Sequence, residues 1–301
     1  MALETCAVRS DESRQELTQH GTPALPAACY REELPETVVA LHWHEEFEFI
    51  LAAHGQIHLR LDTEEVVLPQ GGAVFLLPGC LHAAANPPDV HAVLQSLVIH
   101  PKFIGGSLDS FFRQQFILPL VERTDMHYII LDGTKARYAE VIAAMCAAWR
   151  CFSEEPYDYE NEARFYITRA VHILKDALPE VAAPAAHLAV VERMKPVLQY
   201  IEQHYAEDIS LAVLTRQAVC SESVLLRDFR KVTGMPPMRY VLSLRLEKAA
   251  ALLLSTEMKS AEIAVQCGFN DISYFTRAFR SKTGLAPQAY RKQHAEKLTH
   301  T

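Results

Sequence analysis

The sequence predicts an α+β protein, with an N-terminal β-barrel, a helical pair and a C-terminal all-α domain of two helix-turn-helix modules. Three observations carry this. Residues 37–131 are filled by short apolar runs broken by Gly, Pro and Asn; the apolar spacing then switches to a helical period; and the last third repeats itself at an offset of 50 residues. A chain of 301 residues has room for roughly two domains with cores of their own.

Composition narrows the class. Half the residues are apolar and 22% are charged, as in an ordinary globular protein. No apolar run approaches the roughly 18–20 residues that span a bilayer. The start, "MALETCAVRSDESRQEL", lacks a basic stretch followed by an apolar one, so no signal peptide is expected there. The cysteines number seven, an odd count, and form no C-x-x-C pair. That argues against a disulfide framework or zinc knuckle and points to a reducing cytoplasm. Charge is divided unevenly: residues 190–301 hold 16 Lys+Arg against 11 Asp+Glu, a net of +5, whereas residues 1–189 carry −13. A basic tail on an acidic body fits a partner that must have its phosphates neutralised.

The strand-like runs are "TVVALHW", "FEFILAA", "QIHLRL", "EEVVLP", "AVFLLP", "VHAVLQSLVI" and "MHYIIL". Many short strands at regular spacing form a barrel or sandwich, here placed within residues 1–133 together with an N-terminal extension. Over 134–178, Tyr138, Val141, Met145 and Phe152, with Trp149 nearby, and then Ile167, Val171, Leu174 and Leu178, mark two amphipathic helices broken at "SEEPYDY". Such long stripes fit either packing on the barrel or a dimer. The Pro/Ala-rich stretch 179–189 is the expected linker, and residues 190–301 form the helical domain.

In that domain the 50-residue shift places Ser223 on Ser273, Arg227 on Arg277, Phe229 on Phe279, Arg230 on Arg280, Thr233 on Thr283, Gly234 on Gly284, Pro237 on Pro287 and Tyr240 on Tyr290. In the second copy "SAEIAVQC" is a short helix, Gly268 a left-handed stop, and Asp271 the cap of a new helix ending at Gly284. In the first copy "SLAVLTRQA" leads and Ser221 caps. Helix, turn, helix is the unit whose second helix enters the DNA major groove. Phe275 and Phe279 point to a core; Ser273 and Arg277 share the opposite face, with Tyr274 and Thr276 beside them, as do Ser223 and Arg227 in the first copy. An arginine there can hold guanine O6 and N7, and a serine several base edges. Arg230, Lys231, Arg280 and Lys282, one turn on, suit phosphates. Between the copies, Pro237 to Leu254 reads as one helix, a rod able to hold two reading heads about one B-DNA turn (~34 Å) apart.

Residues 194–292, through "LAVLTRQAVCSESVLLRDFRKVTGMPPMRYVLSLRLEKAAALL" and "SAEIAVQCGFNDISYFTRAFRSKTGLAPQAYR", resemble the DNA-binding domain of the AraC/XylS family of bacterial transcription regulators. The resemblance implies two bridged helix-turn-helix modules on adjacent major-groove segments of a double-stranded operator, and a chain that is not an enzyme. It also implies a homodimer on repeated half-sites and, for an activator, a contact with RNA polymerase. Two positions depart from the pattern: Leu226 replaces a polar residue and can touch a thymine methyl, and Asp228 replaces an apolar one, adding negative charge near the DNA-facing end.

The stretch "LHWHEEFEFILAAHG" contains His42, His44 and Glu48, whose equal parity puts them on one face of an extended strand, with Gly55 after them. Further on, "GAVFLLPGCLHAAAN" carries Gly72, Pro78, Gly79, His82 and Asn86. Together these resemble the two motifs of the cupin barrel, the second short of one residue between its proline and its histidine. Carried over, the cupin metal ligands are His42, His44, Glu48 and His82. Three imidazoles and a carboxylate suit Zn, Ni, Mn or Fe. The same residues, with Arg60, equally suit contacts to a small-molecule effector such as a sugar or other metabolite, or a polar barrel core. A metal-sensing regulator and a metal-dependent cupin enzyme (isomerase or dioxygenase) fused to a DNA-binding tail are the alternatives. Cys80 could approach the site but reads as a small packed hydrophobe.

Overall fold

The computed structural model describes residues 16, 20–22, 24–107, 109–123, 125–177 and 185–298, the side chains at 185–188 and 293–298 excepted. It divides into two compact units, Met1–Glu192 and Arg193–Thr301.

In the first unit, β1 (Ala27–Leu34), β3 (Phe47–His54), β6 (Ala73–Leu76), β8 (Ala92–Ile99) and β9 (Tyr128–Leu131) form one antiparallel sheet, ordered β1-β8-β3-β6-β9. A second sheet, ordered β2-β7-β4-β5, contains β2 (Val39–His42), β4 (Ile57–Leu61), β5 (Glu64–Leu68) and β7 (His82–Ala84). Among the described residues the two sheets are not hydrogen-bonded into a ring. The β-domain is therefore a two-layer sandwich with open edges, consistent with the cupin-like barrel or sandwich that the sequence predicts. Strand alternation sorts the side chains: on β3, Phe47, Phe49 and Leu51 face one core, while Glu48, Ile50 and Ala52 face the other sheet. Burying Phe47, Phe49 and Phe75, each at most 1% exposed, contributes roughly 1.5–3 kcal/mol apiece.

A short helix α1 (Lys102–Gly105) and a π-helical turn, Arg113–Ile117, running into α2 (Leu118–Val121), lead to the helical pair α3 (Ala136–Glu154) and α4 (Tyr159–Ala177). The stripes read from the sequence, Tyr138, Val141, Met145 and Phe152 with Ile167, Val171 and Leu174, lie in the same buried cluster as Phe47, Phe75 and Leu97. They are thus consumed within their own unit and are not free to form a dimer. Trp149 is pinned there by its indole N–H, which donates to Tyr30 O at 3.1 Å. Leu178 and positions 179–184 of the expected linker lie outside the described residues. The remainder, 185–189, is helical, because α5 runs Ala185–His204.

In the second unit, α6 (Leu211–Ala218) and α7 (Glu222–Thr233) form one helix-turn-helix; α9 (Ser260–Gln266) and α10 (Ile272–Thr283) form another. The linking helix α8 (Pro237–Ser255) is about 28 Å long at 1.5 Å per residue, and α11 (Pro287–Leu298) closes the unit. The repeat extends to atomic detail. Thr233 and Thr283 each donate at 2.9 Å to the carbonyl of the phenylalanine four residues back, Phe229 and Phe279. The Phe229–Tyr240 and Phe279–Tyr290 rings each meet edge-to-face, with centroids 5.4 Å apart.

Candidate functional sites

The first site forms where the sandwich turns a corner. β2 stops at His42 and β3 starts at Phe47, so His42, His44 and Glu48 do not share one extended strand; the bend between the sheets brings them together. His82 joins them as the cross-strand partner of His42, with ring centroids 4.1 Å apart. The Gly79 N–H donates to His44 O at 2.8 Å and fixes the bend. The ligand atoms of His42, His44 and His82 all lie within 4.8 Å of one another, and all three residues are buried. Glu48 Oε2 is 3.2 Å from His44 Nε2 and 3.0 Å from His82 Nε2, the latter out of line for a hydrogen bond.

Each imidazole is oriented the same way. Nδ1 of His42, His44 and His82 faces the carbonyl of Ala40, Glu46 and Cys80 at 2.8, 3.2 and 3.0 Å. At His42, whose burial favours the neutral ring, Nδ1–H donates outward and Nε2 presents its lone pair to the centre, the arrangement that outer-shell partners impose on metal-binding histidines, whereas Nε2 of His44 hydrogen-bonds Glu48 Oε2. Burial holds His42 well below its ordinary range, reinforced by His82 and His44. Burial also presses on His82 and Glu48, but their mutual contact outweighs it, raising His82 and, with His44, lowering Glu48.

The cavity beside this cluster measures about 20 Å³ and is lined by His42, Glu48, His82, Ile50, Leu59 and Leu94 among others. That is room for a single water-sized occupant. Arg60 is not part of it. On β4 the residues Ile57, Leu59 and Leu61 point inward, so Arg60 points outward, where it pairs with Glu65 across the sheet. Cys80 packs in the apolar core. Asn86 clasps its own loop: Oδ1 accepts from His58 N and Nδ2 donates to Gln56 O and Val90 O. Two residues beside the site escaped the sequence reading, Glu16 and His20. Glu16 Oε2 is 3.4 Å from His42 Nε2 and 3.1 Å from His20 Nε2. No motif marks them; only the backbone bond from Glu16 N to Trp43 O, 2.8 Å, places Glu16 at the corner.

The second site is the outer face of α7 and α10. Asp271 caps α10, accepting from Ser273 N and Tyr274 N at 2.7 and 3.1 Å. Ser273, Tyr274, Arg277 and Arg280 are exposed and Thr276 is half-buried, opposite the buried Phe275 and Phe279. On α7, Ser223, Leu226, Arg227, Arg230 and Lys231 are exposed opposite Leu225, Phe229 and Val232. Two expectations need correction. Asp228 is fully buried, accepting from Arg193 at 2.7 Å and from Arg227 Nε at 2.8 Å, so its charge is neutralised inside the module and is not displayed on the outer face. Lys282 reaches across to α8, donating to Ser243 O, Ser243 Oγ and Glu247 Oε1 at 3.1, 2.7 and 2.8 Å. Its three donors are occupied internally, which removes it from the set of ready phosphate contacts.

Comparisons with known proteins agree with both halves. Residues 25–166 match the AraC-like ligand binding domain, and residues 214–293 match a helix-turn-helix domain. An uncharacterized HTH-type transcriptional regulator, YdeC, of Bacillus subtilis (strain 168) is 26% identical over 95% of this chain and 98% of its own. The HTH-type transcriptional activator RhaR of Shigella dysenteriae serotype 1 is 25% identical, over 90% of this chain and 92% of its own. Among solved structures, the C-terminal domain of the two-component response regulator yesN from Fusobacterium nucleatum is 38% identical, covering 32% of this chain and 93% of that one at a TM-score of 0.30. The chain belongs to the AraC/XylS family: it is a DNA-binding transcription regulator with an N-terminal ligand-binding domain. Among the described residues no helix is long and apolar enough to cross a membrane.

Proposed function

We propose that the effector is a divalent transition ion, Zn, Ni, Mn or Fe, held by His42, His44, Glu48 and His82, and that its binding sets the DNA affinity of the Arg193–Thr301 unit. One observation carries this reading: His42, His44 and His82, each oriented by a backbone carbonyl, bring ligand atoms within 4.8 Å of one another beside the Glu48 carboxylate, next to a cavity of about 20 Å³ that His42, Glu48 and His82 line. Pockets for small organic ligands measure about 300–1,000 Å³, so a sugar would require the sandwich to open, as would the substrate of a cupin enzyme. When bound, the ion supplies a fixed double charge that joins β2, β3 and β7, with its ligands deprotonated. It acts on DNA binding only to the extent that one arrangement of the chain binds it more tightly than another. In this reading the regulator works on its operator as a homodimer and, if it activates, touches RNA polymerase.

The test uses full-length protein purified without chelator. Its metal content is measured, a preferred duplex is selected from a random library, and Kd for that duplex is compared before and after metal removal and re-addition. One ion per chain and a Kd change of tenfold or more support the proposal. Protein without metal, or with stoichiometric metal but an unchanged Kd, overturns it.

A further inference from the structure

Glu16 lies outside both histidine motifs, yet its side chain is only 2% exposed and turned into the site. Its Oε1 is buried without a hydrogen-bond partner among the described residues, and its Oε2 is 3.4 Å from His42 Nε2. His42 spends its Nδ1–H on Ala40 O, so Nε2 of the neutral ring is a bare lone pair. Carboxylate oxygen and ring nitrogen therefore face each other as two acceptors with no donor between them. Acceptors crowded around one point are held together by a cation.

Charge balance is consistent with the same residue. A divalent ion beside Glu48 alone would leave one uncompensated positive charge in a largely apolar cavity, and an unbalanced buried charge is expensive; of the two other carboxylates that line the cavity, Glu16 and Glu32, only Glu16 is placed against a histidine of the cluster, His42. A second carboxylate brings the sum to zero. We infer that Glu16 is a further ligand of the ion, giving a donor set of three imidazoles and two carboxylates. The inference rests on the metal reading given above. Five donors with two oxygens favour Mn, Fe, Co or Ni over tetrahedral zinc. His20 is the positioning residue. Its Nε2 lies 3.1 Å from Glu16 Oε2 and its Nδ1 2.7 Å from Tyr30 Oη, which aims the carboxylate from behind.

Cobalt(II) tests this without any DNA readout, because its visible bands are weak when five- or six-coordinate and strong when tetrahedral. Metal-stripped full-length protein is titrated with Co2+, with the parent chain compared to Glu16→Gln and, should that variant fail to fold, to Glu16→Asp. The expected result is weak bands in the parent. In the variant, affinity falls tenfold or more and the bands intensify as the coordination number drops. Unchanged affinity and bands in the variant overturn the inference while leaving the four-ligand site standing. Weaker binding with unchanged bands overturns it too, reducing Glu16 to a partner of His20. A parent chain that binds no Co2+ sinks the metal reading itself, and this inference with it.

Discussion

Arg227 and Arg277 occupy the same position of the repeat, yet a single neighbour separates their roles. Arg227 is followed by buried Asp228, which takes its Nε–H; Arg277 is followed by Ala278 and makes no ion pair among the described residues. Arg277 therefore has no ion pair competing for its guanidinium fork among the described residues, as the proposed contact with a base pair requires. Arg277→Ala should weaken binding to a selected duplex by about 1–3 kcal/mol and relax the preference at one position. Equal loss on random DNA would reduce Arg277 to a phosphate contact. Lys282 behaves oppositely. A free phosphate-binding lysine contributes roughly one counterion to the salt dependence, but Lys282 is held by Ser243 and Glu247. Lys282→Ala should leave the slope of log K against log salt unchanged and lower stability by at most about 1 kcal/mol, as for an exposed pair; a slope reduced by about one would restore it to the DNA contacts. The sequence showed these residues and their helix face, but not their partners. Helical spacing fixes which side a residue occupies, whereas the Lys282–Glu247 and Asp228–Arg193 pairs join helices distant in the chain. Glu16 was illegible for the same reason, while His42, His44, Glu48 and His82 were legible through their spacing.

At the scale of elements, what the sequence revealed tracked the strength of each periodic pattern. Both helix-turn-helix units were readable from caps and breakers, and seven strands from apolar runs. Two strands were not. β1, "AACYREEL", carries three charged residues, and β7 is only three residues long, although it delivers His82. Pairing with β8 for the one, and with β2 and β4 for the other, makes them strands. Barrel closure likewise depends on pairing that no local pattern encodes. The turn of the second module shows a local signal with a tertiary cause. Gly268 has φ +79°, and a Cβ placed there would lie 2.5 Å from Ala206 O. A left-handed alanine costs about 1–2 kcal/mol before any clash. Gly268→Ala should therefore destabilise the C-terminal unit by more than about 2 kcal/mol, read as a lowered Cm in urea with unchanged m. A loss below about 0.5 kcal/mol, typical of surface sites, would mean that Ala206 yields freely.

For the whole molecule, the proposed ion site and the proposed DNA-reading face belong to different units, and the proposal requires that they be coupled. Thermodynamics constrains that coupling without any pathway. If the ion tightens DNA binding by some factor, DNA must tighten ion binding by the same factor. Allosteric couplings of this kind typically amount to about 1–3 kcal/mol, or roughly 5–150-fold. The acidic first unit, −13 over residues 1–189, makes a trivial electrostatic route worth excluding, because any cation that neutralised it would raise DNA affinity non-specifically. Reciprocity separates the two. With a chelator competing for the ion, its affinity for full-length protein is measured alone, with the selected duplex, and with a scrambled duplex. Coupling through the His42–His44–Glu48–His82 site predicts that the selected duplex changes ion affinity by the factor seen in the DNA titration, and that His82→Ala abolishes both effects together. Equal enhancement by the scrambled duplex, or an effect that survives His82→Ala and fades with added salt, would assign the coupling to bulk charge and remove the sandwich corner from the regulatory mechanism.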